Sequence, residues 1–172
     1  RTGDVSRLIE KMGFIPVLKT RLDGSNYNWQ NRKKEIILID TVGDLEKIYS
    51  LANYVFVGKS LVPSGGQNMM EPAGLGKPVV FGPHTFNFKE ETDLLLKNSA
   101  AKMVRTEDEL FKAIEFFIKN PDAAKEMGLK AQKVVNEKRG ATGKNIEIIG
   151  KILAKKSSGR LSARTYPFGT GG

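Results

Sequence analysis

Apolar residues near the start of the chain recur at helical spacing. Val5, Leu8, Ile9 and Met12 share one face of DVSRLIEKMG, which predicts an amphipathic helix with Asp4 as N-cap and Gly13 as its stop. FIPVLKT predicts a short strand, and LDGSNYNWQNRKK a polar loop or hairpin tip. EIILID, ending at Asp40, is apolar at successive positions, the pattern of a buried strand. TVGDLEKIYSLA predicts a helix with Thr41 as N-cap, Asp44 completing a variant capping box, and Leu45, Ile48, Tyr49 and Leu51 as its apolar face. YVFVG and PVVFG predict two further strands, separated by a glycine turn and a short helix over GQNMMEPAGLG. FKEETDLLLKNS, EDELFKAIEFFIKN, PDAAKEMGLKAQKVVNEKRG and TGKNIEIIGKILAKK predict helices, with AAKMV a strand between the first two.

Strands that alternate with helices require a parallel sheet covered on both faces, so the pattern predicts an α/β fold with a Rossmann-like doubly wound parallel sheet over residues 1–156. Residues 157–172, SSGRLSARTYPFGTGG, are rich in Ser and Gly and offer little to bury, which predicts a flexible tail or an arm that docks elsewhere.

Composition narrows the function classes. Apolar residues at 40% and charged residues at 27% suit a water-soluble globular protein, and no apolar run approaches the ~20 residues of a membrane span. The chain opens RTGDVSRLIEK, without Met or a secretory pattern, and is read as a piece of a longer protein. With no cysteine there is no disulfide, thiolate metal site or cysteine nucleophile, and the lone histidine with no HxH or DxD argues against a metal. No cofactor is expected. The net charge of +9 is spread among interleaved acids, which favours a solvated surface, or attraction to an anionic ligand or membrane surface, over nucleic-acid binding.

The candidate chemistry sits after YVFVG. In open parallel sheets ligands bind beyond the carboxyl ends of the strands, where glycine turns expose backbone N–H groups. Gly65 and Gly66 precede the expected short helix carrying Gln67, Asn68 and Glu71, a place to stabilise a phosphate, and Glu71 can present a carboxylate to vicinal hydroxyls of a ribose or sugar. After PVVF, the turn GPHTFNF brings His84, Thr85 and Asn87 to the same edge. Taken singly these signals are weak. A Gly-Gly pair is more often a plain turn, a lone loop histidine is more often a structural hydrogen-bonder, and Glu71 before Pro72 serves equally well as a helix cap. Ser60 and Ser64 have no nucleophile elbow around them.

DTVGDL at 40–45, followed by FVGKSLVPSGGQNMMEPAGLGKPVVFGPHTFNF at 56–88, closely resembles the carboxyl-terminal domain of 3-deoxy-D-manno-octulosonic acid (Kdo) transferases. Their pattern of a DTMGEL-type turn, FVGGSLV, GGHN, EPA, GKPV and GPH with NF is kept in order and spacing. The resemblance implies the carboxyl-terminal half of a two-domain GT-B glycosyltransferase, which moves Kdo from CMP-Kdo to lipid A precursor in lipopolysaccharide biosynthesis. It places the full protein peripherally at the cytoplasmic face of the bacterial inner membrane, with this piece soluble. Carried over by position, Ser60, Gly65, Gly66, Gln67, Asn68, Glu71, His84, Thr85 and Asn87 would line the donor site, with Thr41, Val42 and Gly43 opening a helix beside the nucleotide.

The resemblance also implies that the general base, the acceptor site and the membrane anchor belong to an amino-terminal domain outside this chain, which would then be inactive alone because proton transfer to the base is unprovided. Four positions depart from the family: Lys59 stands for a glycine, Gln67 for the histidine of GGHN, and Met69 and Met70 for a Pro-Leu pair. The first two leave open another donor such as a UDP-sugar, and the absent half leaves open a non-catalytic nucleotide-sugar-binding module. On the last helix, Ile146, Ile149, Ile152 and Leu153 would lack the partner that the other domain provides.

Overall fold

The structure, a computed structural model, describes residues 2–22 and 33–161, with the side chains of all but 141–145, 152 and 155–161. Trp29 with most of its polar loop, and the tail beyond residue 161, lie outside the described residues. The chain divides into two compact units, residues 1–52 and 53–172.

In the first unit, helix α1 (Thr2–Lys11) ends where Gly13 turns at φ 81° and Phe14 N–H donates back to Ile9 O, a glycine stop of the expected kind. Only Ile9 of its apolar stripe is buried. Strands β1 (Ile15–Leu18) and β2 (Glu35–Leu38) pair in parallel, Ile15 opposite Glu35. The Asp40 carboxylate accepts from Thr20 Oγ1 (2.6 Å) and Thr20 N–H (3.0 Å), which fixes the end of β2 to the 3₁₀ turn after β1 and lowers the Asp40 pKa. Helix α2 (Leu45–Leu51) begins three residues later than Thr41 would dictate as N-cap, and the capping position is Asp44. Gly43 stands at φ 92°, outside the helical region, and the Thr41 hydroxyl donates to Asp44 (2.6 Å) instead of capping the backbone.

The second unit holds a three-stranded parallel sheet in the order β3 (Val55–Val57), β4 (Val79–Phe81), β5 (Lys102–Met103). Central β4 is buried along its whole length, and its alternating side chains enter two cores. Val79 and Phe81 pack with Met69, Ala73, Leu95, Ala131 and Val135, contributed by helices α3 (Met70–Gly74), α4 (Lys89–Lys97) and α6 (Pro121–Leu161) and the residue before α3. Val80 packs with Ala113 and Phe117 of α5 (Glu107–Lys119), with Val104, and with Ala124 of α6. Helices therefore cover both faces, as the strand and helix alternation predicts. Thr106 caps α5 by accepting from Glu109 N–H (3.1 Å).

Two helices expected on either side of Gly140 form the single helix α6, which continues through Leu161. Nothing lies within 4 Å of a Cβ placed at Gly140, and an interior glycine costs a helix only about 1 kcal/mol, too little to stop it without a following proline. Ile146, Ile149 and Leu153 are exposed, and the side chain of Ile152 lies outside the described set. Among the described residues no helix is long and apolar enough to cross a membrane.

Candidate functional site

The carboxyl ends of β3 and β4 each run into a turn, and Ser60 locks the two turns together. Its buried hydroxyl donates to Val57 O (2.5 Å) and accepts from Gly82 N–H (2.8 Å), while Ser60 O accepts from His84 N–H (2.9 Å). The approach is close enough that a Cβ on Gly82 would overlap the Ser60 carbonyl, so glycine is demanded there. Lys59, exposed, stands at φ 60°, in the left-handed region that glycine favours.

Gly65 and Gly66, at φ 82° and 73°, fold the β3 turn back over the β4 turn. A Cβ on Gly65 would meet Asn87 Nδ2 and the Phe86 ring, and one on Gly66 would stand 3.3 Å from His84 O. The Gln67 side chain reaches back to the end of β3, its Oε1 4.0 Å from a Cβ placed at Gly58. Gly65, Gly66, Gln67, His84, Thr85 and Asn87 are thus brought together. Thr85 is buried, and its hydroxyl accepts from Thr92 Oγ1 (3.1 Å) in the first turn of α4, so like Ser60 it braces the frame with its side chain.

Helix α3 is five residues long and starts at Met70, so Gln67 and Asn68 precede it instead of lying on it. Asn68 Oδ1 accepts from Met70 N–H (2.9 Å), forming a side-chain turn that sets where the helix begins and leaves too few aligned peptides for the expected helix-end field. The same Asn68 amide donates to Glu71 Oε1 (3.0 Å) and orients an exposed carboxylate.

Asn68 and Glu71 open onto a groove of about 600 Å³. Met70, Phe88, Val135 and Ile146 supply its apolar lining, and Glu91, Lys138 and Arg139 its charges. Lys138 Nζ bonds Glu91 Oε1 (2.7 Å) from α6 to α4, and this bond holds the Glu91 carboxyl below the ordinary glutamate value. Phe88, Glu91, Lys138 and Arg139 escaped the sequence reading. The signal was the position of Lys138 and Arg139 four residues after Val134 and Val135, on the stripe of α6 that packs on α3.

Thr41, Val42 and Gly43 belong to the first unit, with Val42 and Gly43 exposed. Among the described residues there is no group of three or more metal-ligating side chains.

No protein-family model matches the chain. Over 156 residues, 90% of its length, it is 32% identical to the 3-deoxy-D-manno-octulosonic acid transferase of Haemophilus influenzae, of which it spans 35%. It is 35% identical over 115 residues to a bifunctional glycosyltransferase/methyltransferase of Fusobacterium nucleatum, matching 67% of this chain and 18% of that protein. Its fold matches the crystal structure of the C-terminal CMP-Kdo binding domain of WaaA from Acinetobacter baumannii with a TM-score of 0.70 and 26% identity, over 78% of this chain and 68% of that one. The chain thus spans about a third of the H. influenzae enzyme and less of the F. nucleatum one.

Proposed function

Because the chain belongs to the 3-deoxy-D-manno-octulosonic acid transferases, as a relative of their carboxyl-terminal part, we propose that it is the donor-binding half of such a glycosyltransferase and binds CMP-Kdo. The observation that carries this reading is the packing of the Gly65-Gly66 turn on His84–Asn87, at the carboxyl ends of parallel strands and beside the groove that Glu71 enters. Glu71, oriented by Asn68, accepts from the ribose hydroxyls. Backbone amides of the glycine turn, with Gln67, His84 and Asn87, meet the phosphate. Ser60 and Thr85 hold the two turns in register. Thr41, Val42 and Gly43 enter this reading as nucleotide contacts on the resemblance alone.

The proposed reaction moves Kdo to lipid A precursor at the cytoplasmic face of the bacterial inner membrane, with the base and the acceptor site on an amino-terminal domain. The chain alone binds donor without turnover. The names of the relatives support CMP-Kdo over the UDP-sugar alternative. Calorimetric titration with CMP tests the role of Glu71. Glu71→Gln removes the charge from a charge-assisted hydrogen bond and is expected to weaken binding about 10- to 100-fold. Unchanged CMP affinity would remove Glu71 from the site.

A further inference from the structure

The groove beside Glu71 carries a cation that donor binding through the glycine turn leaves unused. Along α6, Val135, Arg139 and Ile146 follow at spacings of four and seven and form one stripe, and Val135 and Ile146 line the same groove. Val135 Cγ1 stands 3.3 Å from a Cβ placed at Gly74, and Arg139 Nη2 3.7 Å from it, so the guanidinium lies along the end of α3. Glu71 lies three residues before Gly74, on the same side of that helix.

The groove's four charged groups are unequally occupied. Lys138 is engaged by Glu91, and Glu71 Oε1 by Asn68. Arg139 is exposed and has no ion-pair partner among the described residues, Glu71 across the groove included. A carboxylate and a guanidinium that share a groove without pairing suit a ligand with hydroxyls for the one and an oxyanion for the other. Among the described residues the groove's other cation, Lys138, is held by Glu91, and the five-residue α3 offers little helix-end field.

We propose that Arg139 is the anion-recognition residue of this groove, its planar fork taking a phosphate or carboxylate of the ligand whose hydroxyls Glu71 holds. This rests on the donor-binding reading above. A nucleotide-sugar with an acidic sugar carries both oxyanions, one on the nucleotide and one on the sugar.

The test is an NMR titration of the 172-residue chain that follows the Arg139 Nε–H resonance, with cytidine, CMP and free Kdo as separate probes, repeated by calorimetry on Arg139→Gln. Because Arg139 is exposed and unpaired, the variant is expected to fold as the parent does. Two results support the proposal: CMP binding weakened about 10- to 100-fold with cytidine unchanged, which identifies the phosphate, or a Kdo-dependent shift that the variant loses, which identifies the carboxylate. If CMP moves the glycine-turn amides but Arg139 stays silent, and the variant binds CMP and Kdo as well as the parent, the proposal is overturned and the donor reading stands. If neither CMP nor Kdo binds the parent chain, both are overturned.

Discussion

Gly82→Ala tests whether the contact between the two site turns is as tight as the geometry states. A methyl group there would stand 2.6 Å from Leu61 N and overlap the Ser60 carbonyl, both rigid backbone that no side-chain rotation can clear. The β3 turn must retreat, and that breaks the bonds from Gly82 N–H to Ser60 Oγ (2.8 Å) and from His84 N–H to Ser60 O (2.9 Å). Each buried group left without a partner costs about 1–3 kcal/mol, so the expected loss is about 2–5 kcal/mol, a large share of the ~5–15 kcal/mol that holds a typical domain folded. Ser60→Ala is the graded companion. It leaves the backbone in place but takes the hydrogen-bond partner from the Gly82 N–H and the donor from Val57 O, at about 1–3 kcal/mol for each group left without a partner. Urea denaturation gives the totals, and amide hydrogen exchange at Gly82 and His84 locates the opening in the second unit. If Gly82→Ala keeps the parent's midpoint and amide protection, the turns do not touch as described and the case for a shared site loses its frame.

Two further outcomes are expected. Lys59→Gly should raise stability by about 0.5–1 kcal/mol, because Lys59 bears a left-handed backbone at φ 60° that glycine adopts without strain; a lowered urea midpoint would refute this. Glu91, whose pKa is lowered chiefly by its hydrogen bond from Lys138, contributes stability that is present above the ordinary glutamate value of about 4.3 and lost as pH falls through its lowered value. Between pH 7 and pH 3 the parent should therefore lose about 0.5 kcal/mol more than Glu91→Gln in paired urea titrations, the modest size expected of a half-exposed ion pair; equal losses would contradict it.

What the sequence made legible follows from how local each signal is. Val79, Val80 and Phe81 are apolar at successive positions because β4 feeds a core on each face, and a continuous run of that kind declares a buried parallel strand. The Gly65-Gly66 turn and the GPHTFNF turn could be placed at one edge because both follow strands, and the structure shows the glycines needed at positive φ against His84–Asn87. The family's glycine at position 59 acquires a reason in the same backbone angle. The misreadings arose where side chains compete with the backbone. Asn68 captures Met70 N–H and delays α3, and Thr41 bonds Asp44 so that α2 starts after Gly43. Gly140 looks like a stop in the sequence, yet α6 passes through it because no capping geometry supports a stop. Lys138 and Arg139 stayed out of sight because they lie about seventy residues from Glu71, and tertiary contacts, the packing of Val135 on Gly74 and the bond from Lys138 to Glu91, join them to the groove.

Central to the proposed function is that this relative of the Kdo transferases carries the donor site. It is tested most directly by a ¹H–¹⁵N NMR titration of the chain with CMP, with UDP as control. Saturable shifts with CMP at residues 65–71 and 84–87, and none there with UDP, are the predicted result. A folded chain whose resonances in those two segments ignore CMP, or respond equally to UDP, would contradict it.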